Sequence, residues 1–271
     1  MGVMGHRAKI VACACHKGGV GKTTTAASLG GLIALSEGQR VLLVDADPQM
    51  NLTTTFTDGV FDRTLYTAFT EYRAARSADL PVFGVRDNLD IVPAAIDLCA
   101  VDSDFASVPG RDLMLRKMLQ PLREQYDWIF VDCPAQLGAL TVNALVAADY
   151  AIIPLSCDAY SADGLVQIRN FISIVKDVNE DLSILGVLVT KYRARRVVDQ
   201  LVTGQLDAGW NRLVFKTRIR ENSAIVKAPL RKQDVYMYDS RSAGAQDYAS
   251  LLGEIRMKIQ QPKKKRKHAK R

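Results

Sequence analysis

A chain of 271 residues that is 48% hydrophobic and 24% charged has the make-up of an ordinary globular protein, with length enough for one large α/β core. It holds no uncharged apolar run long enough to span a bilayer, and Met1 to Lys9 lacks the apolar stretch of a secretory signal, so a cytoplasmic protein without membrane partners is expected. The net charge of +7 is local: seven Lys and Arg residues fall within Pro262 to Arg271, and the remaining 29 basic residues equal the 29 acidic ones.

In chain order, Ala8 to Cys15 is a short apolar run followed at once by glycines, the pattern of a fully buried strand. Thr23 to Glu37 suits a helix that stops at Gly38, and Arg40 to Val44 is a second strand ending on Asp45. Asp58 to Asp87 has weak periodicity and reads as a surface excursion with a short helix. Further strands are expected at Leu89 to Pro93, Trp128 to Val131, Tyr150 to Leu155 and Ile184 to Thr190, with helices at Leu113 to Gln125, Gly164 to Val178 and Ala243 to Gln260. This alternation predicts an α/β fold, a mostly parallel, doubly wound sheet covered on both faces. Of the five cysteines, most lie in apolar runs and read as reduced core thiols; the Cys13-x-Cys15 pair is too closely spaced for the usual zinc site and suits one face of a strand.

Lys17-Gly18-Gly19-Val20-Gly21-Lys22-Thr23-Thr24 lies between a buried strand and a helix, the context a phosphate-binding loop requires. Its glycines let backbone N–H groups turn onto phosphates, Lys22 would reach the β and γ phosphates, and the Thr23 hydroxyl would hold Mg²⁺. The standard spacing would put glycine where His16 stands, and a second lysine, Lys17, opens the loop instead.

Ligands of open α/β sheets bind at the carboxyl ends of strands, which directs attention to two carboxylates. Asp132 ends Trp-Ile-Phe-Val-Asp and fits a Walker B position, orienting Mg²⁺. Asp45 ends Val-Leu-Leu-Val-Asp-Ala-Asp-Pro-Gln. Asp47, before proline, suits a turn or cap.

The K-G-G-x-G-K-T loop resembles that of the deviant Walker A ATPases, and the likeness to the ParA and Soj partition ATPases continues through Asp45 to Asn51, Asp132 to Pro154 and Ala224 to Tyr248, a P-loop NTPase fold over nearly the whole chain. The resemblance implies ATP with Mg²⁺ as cofactors, Lys17 reaching the partner's phosphates across a nucleotide-sandwich homodimer, and Asp45 positioning the attacking water, so that Lys17, Lys22 and Asp45 are the catalytic set. It also implies nucleotide contacts from the whole loop and an adenine contact from Asn222, and a second switch-like region at Leu140 to Asp149. The chain departs from the family at Ala135, at Arg220, where a proline is common, and at Glu221. MinD-like relatives end in an amphipathic membrane helix, whereas this chain ends in a polybasic string.

Partition ATPases bind DNA without sequence preference through arginines. Arg193, Arg195 and Arg196 form one basic group here, Arg195 being the best positional match; Arg218, Arg220, Lys227, Arg231 and Lys232 form another. Lys263, Lys264, Lys265, Arg266 and Lys267 form a third, which would read as a nuclear import signal in a eukaryote and as a phosphate-binding arm in a bacterium. The expected layout is a flexible segment 1–7, a ParA-like ATPase domain 8–260 and a basic disordered tail 261–271. The expected activity is ATP hydrolysis by a dimer that binds DNA on the nucleoid and, with a ParB-like centromere-binding partner, moves plasmid, chromosome or mobile-element DNA. Two rival readings are a metal-loading or MinD-like ATPase and a DNA-binding regulator of transfer genes timed by hydrolysis.

Overall fold

The computed structural model describes residues 7–157, 161–210 and 213–260. Seven strands, β1 (Lys9–Cys13), β2 (Val41–Asp45), β3 (Phe83–Arg86), β4 (Leu89–Val92), β5 (Trp128–Asp132), β6 (Tyr150–Ser156) and β7 (Ser183–Thr190), form one sheet in the order β3-β4-β2-β5-β1-β6-β7. Every neighbouring pair is parallel except β3 with β4. The doubly wound fold read from the sequence is therefore the one found.

The strands read as unbroken apolar runs because both faces are buried. Along β1 and β2, Ile10, Ala12, Leu42 and Val44 enter one core while Val11, Cys13, Val41 and Leu43 enter the other. Helices α1 (Lys22–Glu37) and α11 (Ala243–Gln260) cover the second face through Leu29, Ile33, Tyr248 and Leu251. The first face is covered through α3 (Leu65–Ala75), α5 (Met114–Leu119) and α6 (Ala139–Ala147), by residues such as Phe69, Leu115 and Leu145. The other helices are α2 (Asn51–Phe56), α4 (Val101–Asp104), α7 (Ser161–Val175), α8 (Val197–Trp210), α9 (Ser223–Lys227) and α10 (Val235–Tyr238).

Several expectations need correction. Leu113 to Gln125 is not one helix: α5 ends at Leu119 and a single 3₁₀ turn, Pro121–Glu124, follows, because proline lacks the N–H that would continue the ladder. The excursion at Asp58 to Asp87 is more ordered than its weak periodicity suggests, holding α3 and the antiparallel edge strand β3. Helix α8 has no counterpart among the expected elements. The helix expected over Gly164 to Val178 runs Ser161–Val175 instead.

The outer edge of β7 is lined by the chain around Val214 to Arg220: Phe215 N–H donates to Val187 O at 3.0 Å and Ile219 N–H to Val189 O at 2.8 Å. At the opposite edge, β3 is four residues long and its pairing with β4 shifts register between Gly84 and Arg86. The flexible segment 1–7 and the basic tail 261–271 expected from the sequence lie, apart from Arg7, outside the described residues.

Candidate nucleotide site

The loop Lys17 to Gly21 joins β1 to α1 at the carboxyl edge of the sheet, where its two tight positions are glycines: Gly19 has φ 70° and Gly21, capping α1, φ 92°. Side chains are costly at such angles. The Thr190 hydroxyl at the end of β7 holds the loop in place, lying 2.7 Å from Val20 O and 3.2 Å from Leu155 O. Lys22 is buried, and its ammonium donates to the Lys17 carbonyl at 2.9 Å, so the cation lies inside the curl of the loop. Lys17 is half-buried at the loop's start, and Gly18 and Gly19 are exposed.

Strand register brings the two carboxylates together. Cys13, Asp132 and Asp45 are consecutive partners across β1, β5 and β2, so the loop and both acids share one row at the sheet's edge. Asp132 is fully buried and its Oδ2 accepts from the Thr23 hydroxyl at 2.6 Å, while its Oδ1 has no hydrogen-bond partner. A hydroxyl, a carboxylate and an orphaned carboxylate oxygen are a hard-oxygen set that fits Mg²⁺. Burial, then the charge of Asp45, pushes the Asp132 carboxyl well above the ordinary range, against the Thr23 hydrogen bond and Lys22. Bound Mg²⁺ would reverse that balance by favouring the ionised form.

Asp45 is also fully buried. Its Oδ2 accepts from Thr53 N–H and from the Thr53 hydroxyl, both at 2.7 Å, and its Oδ1 accepts from Asp47 N–H at 3.1 Å. Burial raises its pKa to about 6, and these three hydrogen bonds oppose the rise. Asp47 itself makes a turn, accepting from Gln49 N–H at 3.0 Å, as its place before proline suggested. Cys13 and Cys133 are buried free thiols pushed up by burial and by Asp132.

The basic groups divide by environment. The segment after β7 enters the site: Lys191, Arg193 and Arg196 line a cavity of about 250 Å³ together with Gly18, Gly19, Cys157, Asp199 and Glu221. Arg193 is fastened to Glu221 by two hydrogen bonds, and Arg220 to Asp247 in the same manner. Arg218 stacks over Tyr192 at 4.9 Å. Arg195, Lys227 and Arg231 are exposed. Lys232 is engaged at the surface, donating to Thr54 O at 2.9 Å and pairing with Asp58. Asn222 caps α9, its Oδ1 accepting from Ala224 N–H at 2.9 Å. Lys263 to Lys267 lie outside the described residues.

A family model described as an AAA domain matches residues 8–184. Over 252 residues the chain is 37% identical to the sporulation initiation inhibitor protein Soj of Bacillus subtilis, covering 91% of this chain and 98% of that one. The chain belongs to the Soj and ParA family. It is 35% identical over 263 residues to the chromosome partitioning protein ParA of Myxococcus xanthus, covering 96% of this chain and 91% of the relative. Among solved structures, cobyrinic acid a,c-diamide synthase from Mycobacterium smegmatis with a bound ATP analog and magnesium superposes with a TM-score of 0.80 at 28% identity, covering 94% of this chain and 96% of that one. The protein is thus a P-loop ATPase with ATP and Mg²⁺ as cofactors. No helix of the described residues is long and apolar enough to cross a membrane.

Sequence reasoning missed Thr53, Thr190 and Lys191, and took Glu221 only as a departure from the family. None falls in a motif: Thr53 is one of three consecutive threonines, and Thr190 ends an apolar strand like any other β-branched residue.

Proposed function

We propose that this protein is a partition ATPase that dimerises on ATP, binds DNA without sequence preference, and segregates a replicon or chromosome with a ParB-like partner that stimulates hydrolysis. It would work in the cytoplasm, on the nucleoid. Family membership supports the partition role. The observation that carries the link from nucleotide to DNA is the course of one segment, 191–196, which lines the cavity beside Gly18 and Gly19 and also presents Arg195 to solvent. A change in the nucleotide is then felt within a few residues of a basic surface.

In this reading Lys22 leaves the Lys17 carbonyl for the β and γ phosphates, and the other backbone groups of Gly18 to Thr24 cradle the phosphate chain. Thr23 and Asp132 would hold Mg²⁺, which would supply charge neutralisation at the phosphate oxygens. Lys17 adds positive charge across the dimer, where charge develops in phosphoryl transfer. Asp45 orients the attacking water, and with its pKa at about 6 it is ionised at neutral pH. Asn222 and the cavity beside Glu221 would receive the adenosine end. DNA phosphates would be met by Arg195, Lys227 and Arg231, by the tail from Lys263 to Lys267, and by Arg193, Arg196 and Arg218 as their partners release them. Affinity would come from summed phosphate contacts and fall with salt.

The test is sedimentation or light scattering of Asp45→Ala with ATP and Mg²⁺, with and without non-specific duplex DNA at two salt concentrations. An ATP-dependent dimer that binds DNA supports the proposal. A protein that stays monomeric, or that dimerises and ignores DNA, refutes it.

A further inference from the structure

Two acids line the cavity beside Gly18 and Gly19, and they are held differently. Asp199 is part of the turn after β7: its side chain is buried and accepts from Arg193 N–H at 2.8 Å, with Arg196 3.7 Å away. Glu221 keeps about half of its side chain in solvent. Its carboxylate takes two hydrogen bonds from the Arg193 guanidinium, one of them at 2.6 Å. Lys191 and Arg196 line the same cavity, and the Lys191 ammonium lies 3.9 Å from where a Cβ on Gly19 would be. The Glu221 carboxyl is held below the ordinary carboxylate range, first by the bond from Arg193 and then, against slight desolvation, by the charges of Arg193, Lys191 and Arg196. A guanidinium fork with two further cations around an exposed oxyanion is the arrangement that receives a phosphate.

The backbone beneath this group does not depend on the ion pair. Tyr192 N–H donates to Ile219 O at 3.0 Å, Glu221 N–H donates to Tyr192 O at 3.1 Å, and Arg218 stacks over Tyr192. The glutamate side chain can therefore turn away while the cations stay in place. Arg220 offers the contrast. Its partner Asp247 is only 12% exposed and also accepts from Arg220 N–H at 2.9 Å, so that acid is built into the fold. An exposed ion pair is held weakly, and a phosphodiester brings the same single charge on two oxygens.

We propose that Lys191, Arg193 and Arg196 form a site for one backbone phosphate of DNA, and that Glu221 occupies it in the free protein as an internal competitor. The inference rests on the DNA-binding reading given above. The glutamate keeps one phosphate contact in reserve and the hold on DNA correspondingly weak.

Glu221→Gln keeps the shape and removes the charge. With a non-hydrolysable ATP analogue and Mg²⁺, its affinity for a non-specific duplex, read by fluorescence anisotropy, is expected to rise about 10-fold at about 50 mM salt and about threefold at about 200 mM, since one more phosphate steepens the log–log slope by about 0.9. Arg193→Gln should cost about 10-fold in the Glu221→Gln background and at least about threefold less in the wild-type chain, where the glutamate already takes the guanidinium. A mere gain in overall positive charge would give Arg193→Gln the same cost in both. Equal costs, or a slope unchanged by Glu221→Gln, overturn the inference and leave the DNA reading standing. Failure of the wild type and every variant to bind DNA overturns that reading and the inference with it. A gain in affinity for a fluorescent ATP analogue in place of the gain for DNA would assign the phosphate to the nucleotide and overturn the DNA assignment.

Discussion

Replacing Asp45 by asparagine should make the protein more stable at neutral pH while stopping turnover. The folded-state pKa of about 6 stands about two units above the ordinary 3.8, and at about 1.4 kcal/mol per unit the ionised acid costs the native state about 3 kcal/mol. The sign follows from linkage. Below pH 4 the acid is protonated in both the folded and the unfolded chain and costs nothing; between pH 4 and 6 the unfolded chain ionises first, and the penalty is complete above pH 6. Asparagine never incurs it. Its carbonyl can keep the two donors from Thr53, but its NH₂ then faces Asp47 N–H, where the present bond of 3.1 Å is lost, and neutral hydrogen bonds replace charged ones at a loss of about 1–2 kcal/mol. A net gain of about 1–2 kcal/mol remains, or roughly 2–8 °C in Tm for a chain of this length. Calorimetry at pH 7.5 and pH 4.5 without nucleotide tests this. The gain should be largest at the higher pH and shrink or reverse at the lower one; an asparagine variant that is less stable at pH 7.5, or whose advantage grows on acidification, would refute the reasoning.

Lys22→Ala should abolish nucleotide binding, measured by fluorescence of a labelled ATP analogue, since in the reading proposed above the ammonium held inside the loop is the phosphate ligand. Lys17→Ala should spare binding by the monomer and depress phosphate release in the dimer. Gly31→Ala would put a Cβ 2.3 Å from the buried Asp234 carboxyl, on which Arg86 and the first turn of α10 depend; a loss of about 2–4 kcal/mol in denaturant titration is expected. Deleting Pro262 to Arg271 should weaken DNA binding most at low salt and reduce the log–log salt slope by about 0.9 for each DNA phosphate the tail neutralises; an unchanged slope would show the tail idle.

The parts legible in the sequence were those that a local rule fixes. Gly19 and Gly21 had to be glycine for the loop to turn, and Asp45 and Asp132 had to end buried strands to reach the sheet's carboxyl edge. Their meeting in one row needed the register of β2 beside β5, which no local pattern states. Helix α8 was hidden because Val197, Val198 and Leu201 leave its start exposed, so apolar residues there do not mark a buried face. Arg193 read as a cation available to DNA because its partner, Glu221, is 28 residues away. Thr53 escaped for the same reason: its hydroxyl meets Asp45, 8 residues away, and the Ala94 N–H, 41 residues away, just past the end of β4.

The two edges of the sheet limit how molecules of this protein can gather. An exposed strand invites a neighbour to continue its ladder, the route to fibres. Here β7 is already lined by the protein's own residues 214–220, and β3 is short and out of step with β4. Crowding along DNA would therefore bring molecules together through side-chain surfaces, which separate when a nucleotide or a charge changes, instead of through shared backbone, which does not. In the reading proposed above, loading on and stripping from DNA many times over is thereby kept reversible at the protein's margins.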